Sequence, residues 1–282
     1  MKLPHTRLAL PRGQLDLWGH GLGELSTGEL LALVEPLPAH SDARAIELAG
    51  QPAWFKGSPL RGHASRRHAL RGLCGLPLPR VREYTNLAWL GERLFRVPEP
   101  VVAGCVRHRG LPLYQFLVTR RVAEAEPLDA ALSGLAPELR GLLIRELAHE
   151  SARMHALHFV HHDLFVRNLL VSPPRPSGGD QRRLIFIDAW RGGPDYLPRG
   201  PAYDLACLML EGAALFTPLE QTLLLREYLA ESAAQGRTPN RPRLLAAIVR
   251  ERARLMARID REPTRWRGPG APVTDWRPPR EL

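Results

Sequence analysis

The spacing of the apolar residues changes once along this chain, and that change limits what the chain can fold into. Between about 43 and 119, short apolar runs are separated by glycine-bearing turns, which is the pattern of strands. From 126 onward the apolar positions recur mostly at helical spacing. Strands first and helices afterwards point to an α+β chain of two lobes sharing a cleft, a small β-rich N-lobe and a mostly helical C-lobe.

Within the first part, "ARAIELAGQPAWFKG" (43–57) reads as a hairpin turning at Gly50-Gln51, and two further strands, 100–107 and 111–119, join at Arg109-Gly110. Tyr84, Leu87, Leu90 and Leu94 make 81–95 a helix, while Arg-rich 58–80 reads as a loop with a short helical piece. Ahead of the hairpin, 26–37 is a short helix with Ser26 and Glu29 spaced as a capping box. The chain therefore divides into an N-terminal extension (1–42), an N-lobe (43–122), a C-lobe (123–262) and a Pro/Arg-rich tail (263–282), expected to be extended or loosely packed.

The C-lobe begins with helical segments at 126–132 and 137–158, the second carrying Leu139, Leu143, Leu147 and Met154 on one stripe. Apolar runs at 169–171 and 184–188 flank a polar tip and form a hairpin. Segment 203–215 is apolar nearly all round and reads as a buried helix. A helix at 217–233 opens with a Thr cap, Pro and Glu220. The last helix, 242–261, packs through Leu245, Ile248, Leu255 and Ile259 and carries its arginines on the surface.

Chemistry concentrates in "HHDLFVRNLL" (161–170), between the long helix and the short hairpin. Asp163 alone reads more readily as an Asx-turn residue after a helix than as a functional one. Asn168 follows five positions later and Asp188 ends the next strand pair, so the hairpin brings all three to one edge of the cleft. Carboxylate and amide oxygens are hard donors, and Mg2+ takes few protein ligands plus phosphate oxygens. Asn168 and Asp188 are thus the candidate metal ligands within the catalytic set Asp163, Asn168 and Asp188. Asp163 is left to accept a hydrogen bond from an incoming hydroxyl. On the N-lobe, Lys56 is the candidate for nucleotide phosphates and Glu83 for its ion-pair partner. Of 39 Lys and Arg, only Lys2 and Lys56 are lysine, which marks Lys56 out from a solvated strand-end charge. His161 reads as a structural hydrogen-bonder, His162 as an exposed loop residue and Trp190 as core packing.

These motifs carry a resemblance. "HHDLFVRNLL" resembles the kinase catalytic loop H-R-D-L-x-x-x-N, with His161, Asp163 and Asn168 in register and His162 in the Arg position. "FIDAW" resembles the strand ending in D-F-G, "AWFKG" the strand of the phosphate-binding lysine, and "YDLACL" the buried helix whose aspartate, here Asp204, braces the loop. The ordered set "WFKG", "LRGH", "VREYTNLAWL", "RVPEPVVAG", "HHD", "IDAWR" and "DLACL" is similar to the lipopolysaccharide kinase family of Gram-negative bacteria, the Kdo/WaaP type, over about 43–260. The resemblance implies a bilobal protein-kinase-like fold, ATP and Mg2+ as cofactors, and phosphoryl transfer to a heptose or Kdo hydroxyl of the lipid A–core oligosaccharide. One element departs from the kinase pattern: no G-x-G-x-x-G precedes Lys56, and 36–44 fills its place. The glycines of "GHGLGEL" (19–25) lie more than 30 residues before Lys56, with no strand ahead of them, and are not read as a phosphate loop.

Charge and hydropathy set the partners. A net charge of +10 favours anionic ones. Arg61, His63, Arg66, Arg67, His68 and Arg71 suit either a solvated face or a phosphorylated glycolipid at an anionic inner membrane. No run approaches the roughly 18 apolar residues of a membrane span, and no signal peptide is evident, so a cytoplasmic protein is expected, peripheral on the inner membrane. No aromatic-interleaved basic patch calls for nucleic acid. Cys74, Cys105 and Cys207 fit reduced, mostly buried thiols. Two other functions fit less of this pattern: an aminoglycoside- or choline-type small-molecule kinase, and a pseudokinase scaffold lacking the glycine loop.

Overall fold

The hairpin that carries Lys56 turns one residue earlier than its sequence suggests. Strand β3, the third along the chain, ends at Leu48, and Ala49 and Gly50 both take left-handed backbone (φ 51° and 67°). Two such residues in a row give the turn whose twist matches the flanking strands. The computed structural model describes residues 3–173, 182–195, 200–266 and 273–279. The tip of the C-lobe hairpin and parts of the tail lie outside the described residues.

The chain divides into two compact units, Met1–Val122 and Ala123–Leu282. The first holds β1 (His5–Leu10), β2 (Gly13–Trp18), α1 (Thr27–Ala32), β3 (Asp42–Leu48), β4 (Gln51–Pro59), α2 (Gly62–Leu73), α3 (Pro79–Glu92), β5 (Pro100–His108) and β6 (Leu111–Arg120). The strands form one antiparallel sheet in the order β1-β2-β5-β6-β4-β3. Leu15, Leu17, Phe55, Val102 and Phe116 are among its buried side chains, with Phe55 and Phe116 stacked at 5.6 Å. Helix α3 packs on β5 and β6, and α2 on β6.

Two features of this unit differ from the sequence reading. Segment 58–80 contains a full twelve-residue helix, α2, rather than a short helical piece. Residues 5–18 form two strands, so β2 does stand directly ahead of the glycines at 19–23. Those glycines lie in a helical turn (His20–Glu24) packed against β5, and the His20 N–H donates to the Tyr84 hydroxyl of α3 at 2.9 Å. The lysine strand β4 is two strands away from β5, with edge strand β3 on its other side. The capping box of α1 is complete, with Ser26 and Glu29 each satisfying the other's backbone N–H.

The second unit holds β7 (Glu126–Pro127), α4 (Leu128–Gly134), α5 (Pro137–Ala156), β8 (Phe159–Val160), β9 (Leu169–Val171), β10 (Leu184–Phe186), β11 (Gly193–Pro194), α6 (Gly200–Leu215), α7 (Pro218–Ala234) and α8 (Arg241–Arg261). Helix α5 packs on α7, and α6 on α8; the side chains of α6 from Tyr203 to Leu210 are all buried. Arg140 ties α5 to three other helices. Its guanidinium pairs with Glu220 at 2.7 and 2.8 Å and donates to the Leu132 and Leu215 carbonyls.

The last helix and the tail also depart from expectation. Arg252 of α8 is 4% exposed rather than on the surface, and its guanidinium lies 5.5 Å from the Trp276 ring centre. The Trp276 indole N–H donates to Gln221 Oε1 at 2.7 Å. Segment 273–279 is therefore fastened to α7 and α8, not loose.

Candidate active site

In the first unit, antiparallel pairing fixes the face of the sheet on which each side chain of β4 lies. Lys56 pairs across to Ala43 and Leu117, and its ammonium reaches Glu83 Oε1 of α3 at 3.1 Å. Glu83 is 1% exposed and takes a second cation, Arg80 Nη1, on Oε2 at 2.5 Å. A carboxylate this buried is stable only when both oxygens are paired, and two cations do that. Arg80 was not foreseen; its spacing of three from Glu83 on one helix was the available signal. Gln115 accepts from the Arg80 backbone N–H at 3.2 Å and donates to Ser58 at 3.2 Å, linking α3 to the strand after the lysine. Gly57 follows Lys56 because Tyr114 lies against it: a Cβ there would sit 2.0 Å from the Tyr114 hydroxyl.

In the second unit, "HHDLFVRNLL" is held from below by α6. Asp204, fully buried, accepts the backbone N–H groups of His161 and His162, both at 2.7 Å. His155 of α5 adds a contact to Asp204 at 3.2 Å and another to the Tyr228 hydroxyl at 2.9 Å. His162 takes left-handed backbone (φ 61°) and its ring stacks on Tyr203 at 4.4 Å, so it is packed in place rather than an exposed loop residue. His161 is buried, and its Nε2 lies 3.1 Å from the Ile187 carbonyl, fastening the loop to the strand that leads to Asp188.

The loop above this clamp is cross-tied. Asn168 Nδ2 donates to the Asp163 carbonyl at 2.8 Å, and the Ile187 N–H donates to the Asn168 carbonyl at 3.1 Å. Asp188 stands in left-handed backbone (φ 62°), and its carbonyl accepts from the Trp190 N–H at 2.8 Å. The chain then passes so close to β8 that a Cβ on Gly192 would lie 1.7 Å from the Val160 carbonyl oxygen. Trp190 is only partly buried; the Arg191 guanidinium lies 4.6 Å from its ring centre, which is not the core packing expected.

Asp163 is 13% exposed, with Arg191 Nη1 at 3.8 Å. Burial pushes its carboxyl above the ordinary value; Arg191, His161 and Arg167 pull it down, and the nearby Asp188 pushes it up again. Arg167 is committed elsewhere, pairing with Glu211 through both its backbone N–H and its guanidinium. Arg191, like Arg80, is not among the residues that the sequence singles out. Its signal was present as the last letter of "IDAWR".

The candidate residues therefore fall into two groups. Lys56 and Glu83 meet in the first unit, and Asp163, Asn168 and Asp188 gather in the second. Among the described residues, no group of three or more His, Cys, Asp or Glu is arranged to hold a metal, and no helix is long and apolar enough to cross a membrane. An aspartate-braced loop carrying Asp and Asn, followed by a strand ending in Asp, on a helical unit preceded by an antiparallel sheet, defines a protein-kinase-like phosphotransferase.

Comparison with known proteins narrows the class. The chain belongs to the lipopolysaccharide kinase (Kdo/WaaP) family, whose model matches residues 64–208, slightly more than half of it. Its reaction is phosphoryl transfer to a sugar hydroxyl of the lipopolysaccharide core. The matched span takes in Glu83, Asp163, Asn168, Asp188 and Asp204 and begins after Lys56. Among solved structures, the chain is similar to WaaP in complex with acyl carrier protein, with a TM-score of 0.54 and 21% identity, covering 82% of this chain and 97% of that one. It is also similar to a divergent kinase lacking the glycine-rich loop that regulates membrane ultrastructure of the Toxoplasma parasitophorous vacuole. That match has a TM-score of 0.42 and 11% identity and covers 78% and 86% of the two chains. No curated protein matches the sequence.

Proposed function

We propose that this chain transfers the γ-phosphoryl group of ATP to a heptose or Kdo hydroxyl of the lipopolysaccharide inner core, with Asp163 orienting that hydroxyl. The acceptor oxygen forms a bond to the γ-phosphorus as the bond to the bridging oxygen of ADP breaks, and the hydroxyl proton passes to the Asp163 carboxylate. The observation that carries this reading is the clamp beneath the loop. Asp204 grips the His161–His162 turn through two backbone N–H groups while Asn168 ties back to the Asp163 carbonyl, so the Asp163 side chain is presented from a rigid base. Phosphoryl transfer asks mainly for such positioning.

Asn168 and Asp188 are the proposed Mg2+ ligands. The donor set fits: the Asn168 amide nitrogen is used on the Asp163 carbonyl, which turns the amide oxygen the other way, and oxygen donors from one amide and one carboxylate leave room for phosphate oxygens. When bound there, Mg2+ would neutralise charge on the phosphates. Lys56 is proposed to hold nucleotide phosphates, oriented by Glu83. Arg191 is proposed as a further cation beside Asp163, since Arg167 of the same loop is taken up by Glu211.

The acceptor is a lipid-anchored sugar, so the chain is proposed to act at the cytoplasmic face of the inner membrane. The WaaP complex makes acyl carrier protein the first protein partner to test, and a net charge of +10 suits an acidic one. Incubation with labelled ATP and core lipopolysaccharide lacking phosphate should place the label on a heptose or Kdo residue. Label on neither sugar would overturn the acceptor assignment.

A further inference from the structure

The surface of α2 is unlike the rest of the first unit. Between Glu47 and Glu83 the sequence contains no acidic residue, yet it carries Arg61, Arg66, Arg67, Arg71, Arg80 and Arg82. Helix α2 turns one side inward, burying Ser65 and His68, and the Ser65 hydroxyl donates to the Pro112 carbonyl at 2.7 Å. Burial, together with Arg67 and Arg71, lowers the basicity of His68.

The opposite side is exposed and mixed. Arg66, Arg67 and Arg71 share it with Leu70, which is 64% exposed, and Leu73, which is 85% exposed; Leu76, just beyond the helix, is 45% exposed. Exposed leucines scattered singly mean nothing. Here three of them, spaced three residues apart along one edge, are set among arginines in a segment that contains no acidic residue. That is the composition of a helix that lies in a membrane interface: apolar side chains enter the acyl boundary, while guanidinium groups stay at the level of the lipid phosphates.

We infer that α2 and the following turn to Leu76 form a docking surface for an anionic phospholipid bilayer. Charge complementarity commits the surface to an anionic occupant. The leucines stand out from the surface rather than line a groove, which favours insertion into lipid over the seat of a protein helix. Arginine side chains of this length can cover the apolar edge and still reach phosphate. The inference deepens the proposed site of action, and it is measured without ATP or acceptor. A failed kinase assay leaves it standing, and its failure leaves the kinase reading standing.

The test uses the full chain and vesicles of phosphatidylethanolamine with about one-third phosphatidylglycerol, beside vesicles of phosphatidylcholine alone. Wild type should co-sediment with the anionic vesicles and release as salt rises. Each exposed arginine contributes roughly fivefold, so R66Q/R67Q/R71Q should weaken binding by about a hundredfold. L70Q/L73Q should weaken it at least about tenfold while leaving the charge unchanged. R243Q/R250Q/R261Q on α8 removes the same charge elsewhere and should bind within about threefold of wild type. All variants are checked for a wild-type melting transition, and where a combined α2 variant lowers it, the same glutamine substitutions are made singly, each arginine then expected to cost roughly fivefold. Equal loss in the α8 and α2 variants would reduce the effect to bulk charge and overturn the proposal. So would vesicle binding unchanged in L70Q/L73Q. Loss of binding to an acidic protein in the α2 variants, with vesicle binding intact, would assign the face to a protein and overturn it equally.

Discussion

Asp204 shows how one buried residue can set a site without belonging to it. It accepts two backbone N–H groups from the turn before Asp163 and lies within reach of His155, all without exposure to solvent. Asp204→Asn leaves one acceptor and points an amide N–H at a backbone N–H. It should cost about 2–4 kcal/mol of stability by urea unfolding, since hydrogen bonds to a buried charge are worth roughly 1.5–3 kcal/mol each. A loss below about 0.5 kcal/mol would mean that the loop is held by other contacts. Gly57 offers a second case. Its Cβ would meet the Tyr114 hydroxyl at 2.0 Å, so Gly57→Ala should destabilise the chain by about 1–3 kcal/mol. That hydroxyl is buried without a protein partner, so Tyr114→Phe should be tolerated within about 0.5 kcal/mol and should relieve part of the Gly57→Ala penalty. An additive double mutant would refute the contact. Residues such as Asp163 and Asn168 were legible because their spacing carries meaning. The neighbours that hold the loop, such as Tyr203 under His162, come together only in the folded chain.

Among the elements, those with both a period and a punctuation mark were read correctly. Helix α7 is the clearest: Thr217, Pro218 and Glu220 announce its start, and the capping box is there. Glu220 does double duty, because its carboxylate also pairs with Arg140. The Arg140 side chain and the Thr217 backbone hold its pKa below the ordinary 4.5. A depressed folded value means that this stabilisation is present above pH 4.5 and is lost as pH falls through the folded value. Glu220→Gln should therefore be less stable than wild type by about 1–3 kcal/mol at pH 7. The gap should close on acidification below about 4.5, as followed by thermal melts across pH. A gap constant down to pH 3 would remove the ion pair from the account. Strands β1 and β2 were illegible for a physical reason. β1 is a mostly exposed edge strand, and β2 reads Leu15-Asp16-Leu17 with all three buried. Asp16 is tolerated there because Arg7 and Arg107 reach it from the neighbouring strands at 2.7 and 2.8 Å. A charge inside the apolar row hides the alternation until its cross-strand partners are known.

At the scale of the whole molecule, the division into strands first and helices afterwards carried the fold class, and the order of the motifs carried the family. No G-x-G-x-x-G lies ahead of β4 in the sequence, and edge strand β3 follows a loop. Nucleotide binding is thus expected to lean on Lys56 and its partner Glu83. Lys56→Ala should lose the thermal stabilisation that Mg-ATP gives to wild type; a shift equal to that of wild type would place the phosphates elsewhere. Asp163 is proposed to serve the acceptor hydroxyl and not the nucleotide. The most direct test is phosphoryl transfer from ATP to dephosphorylated core lipopolysaccharide by Asp163→Ala, with Mg-ATP binding measured on the same preparation. Transfer should fall by at least about a hundredfold, with ATP affinity within about threefold of wild type. Turnover at the wild-type rate would contradict this role.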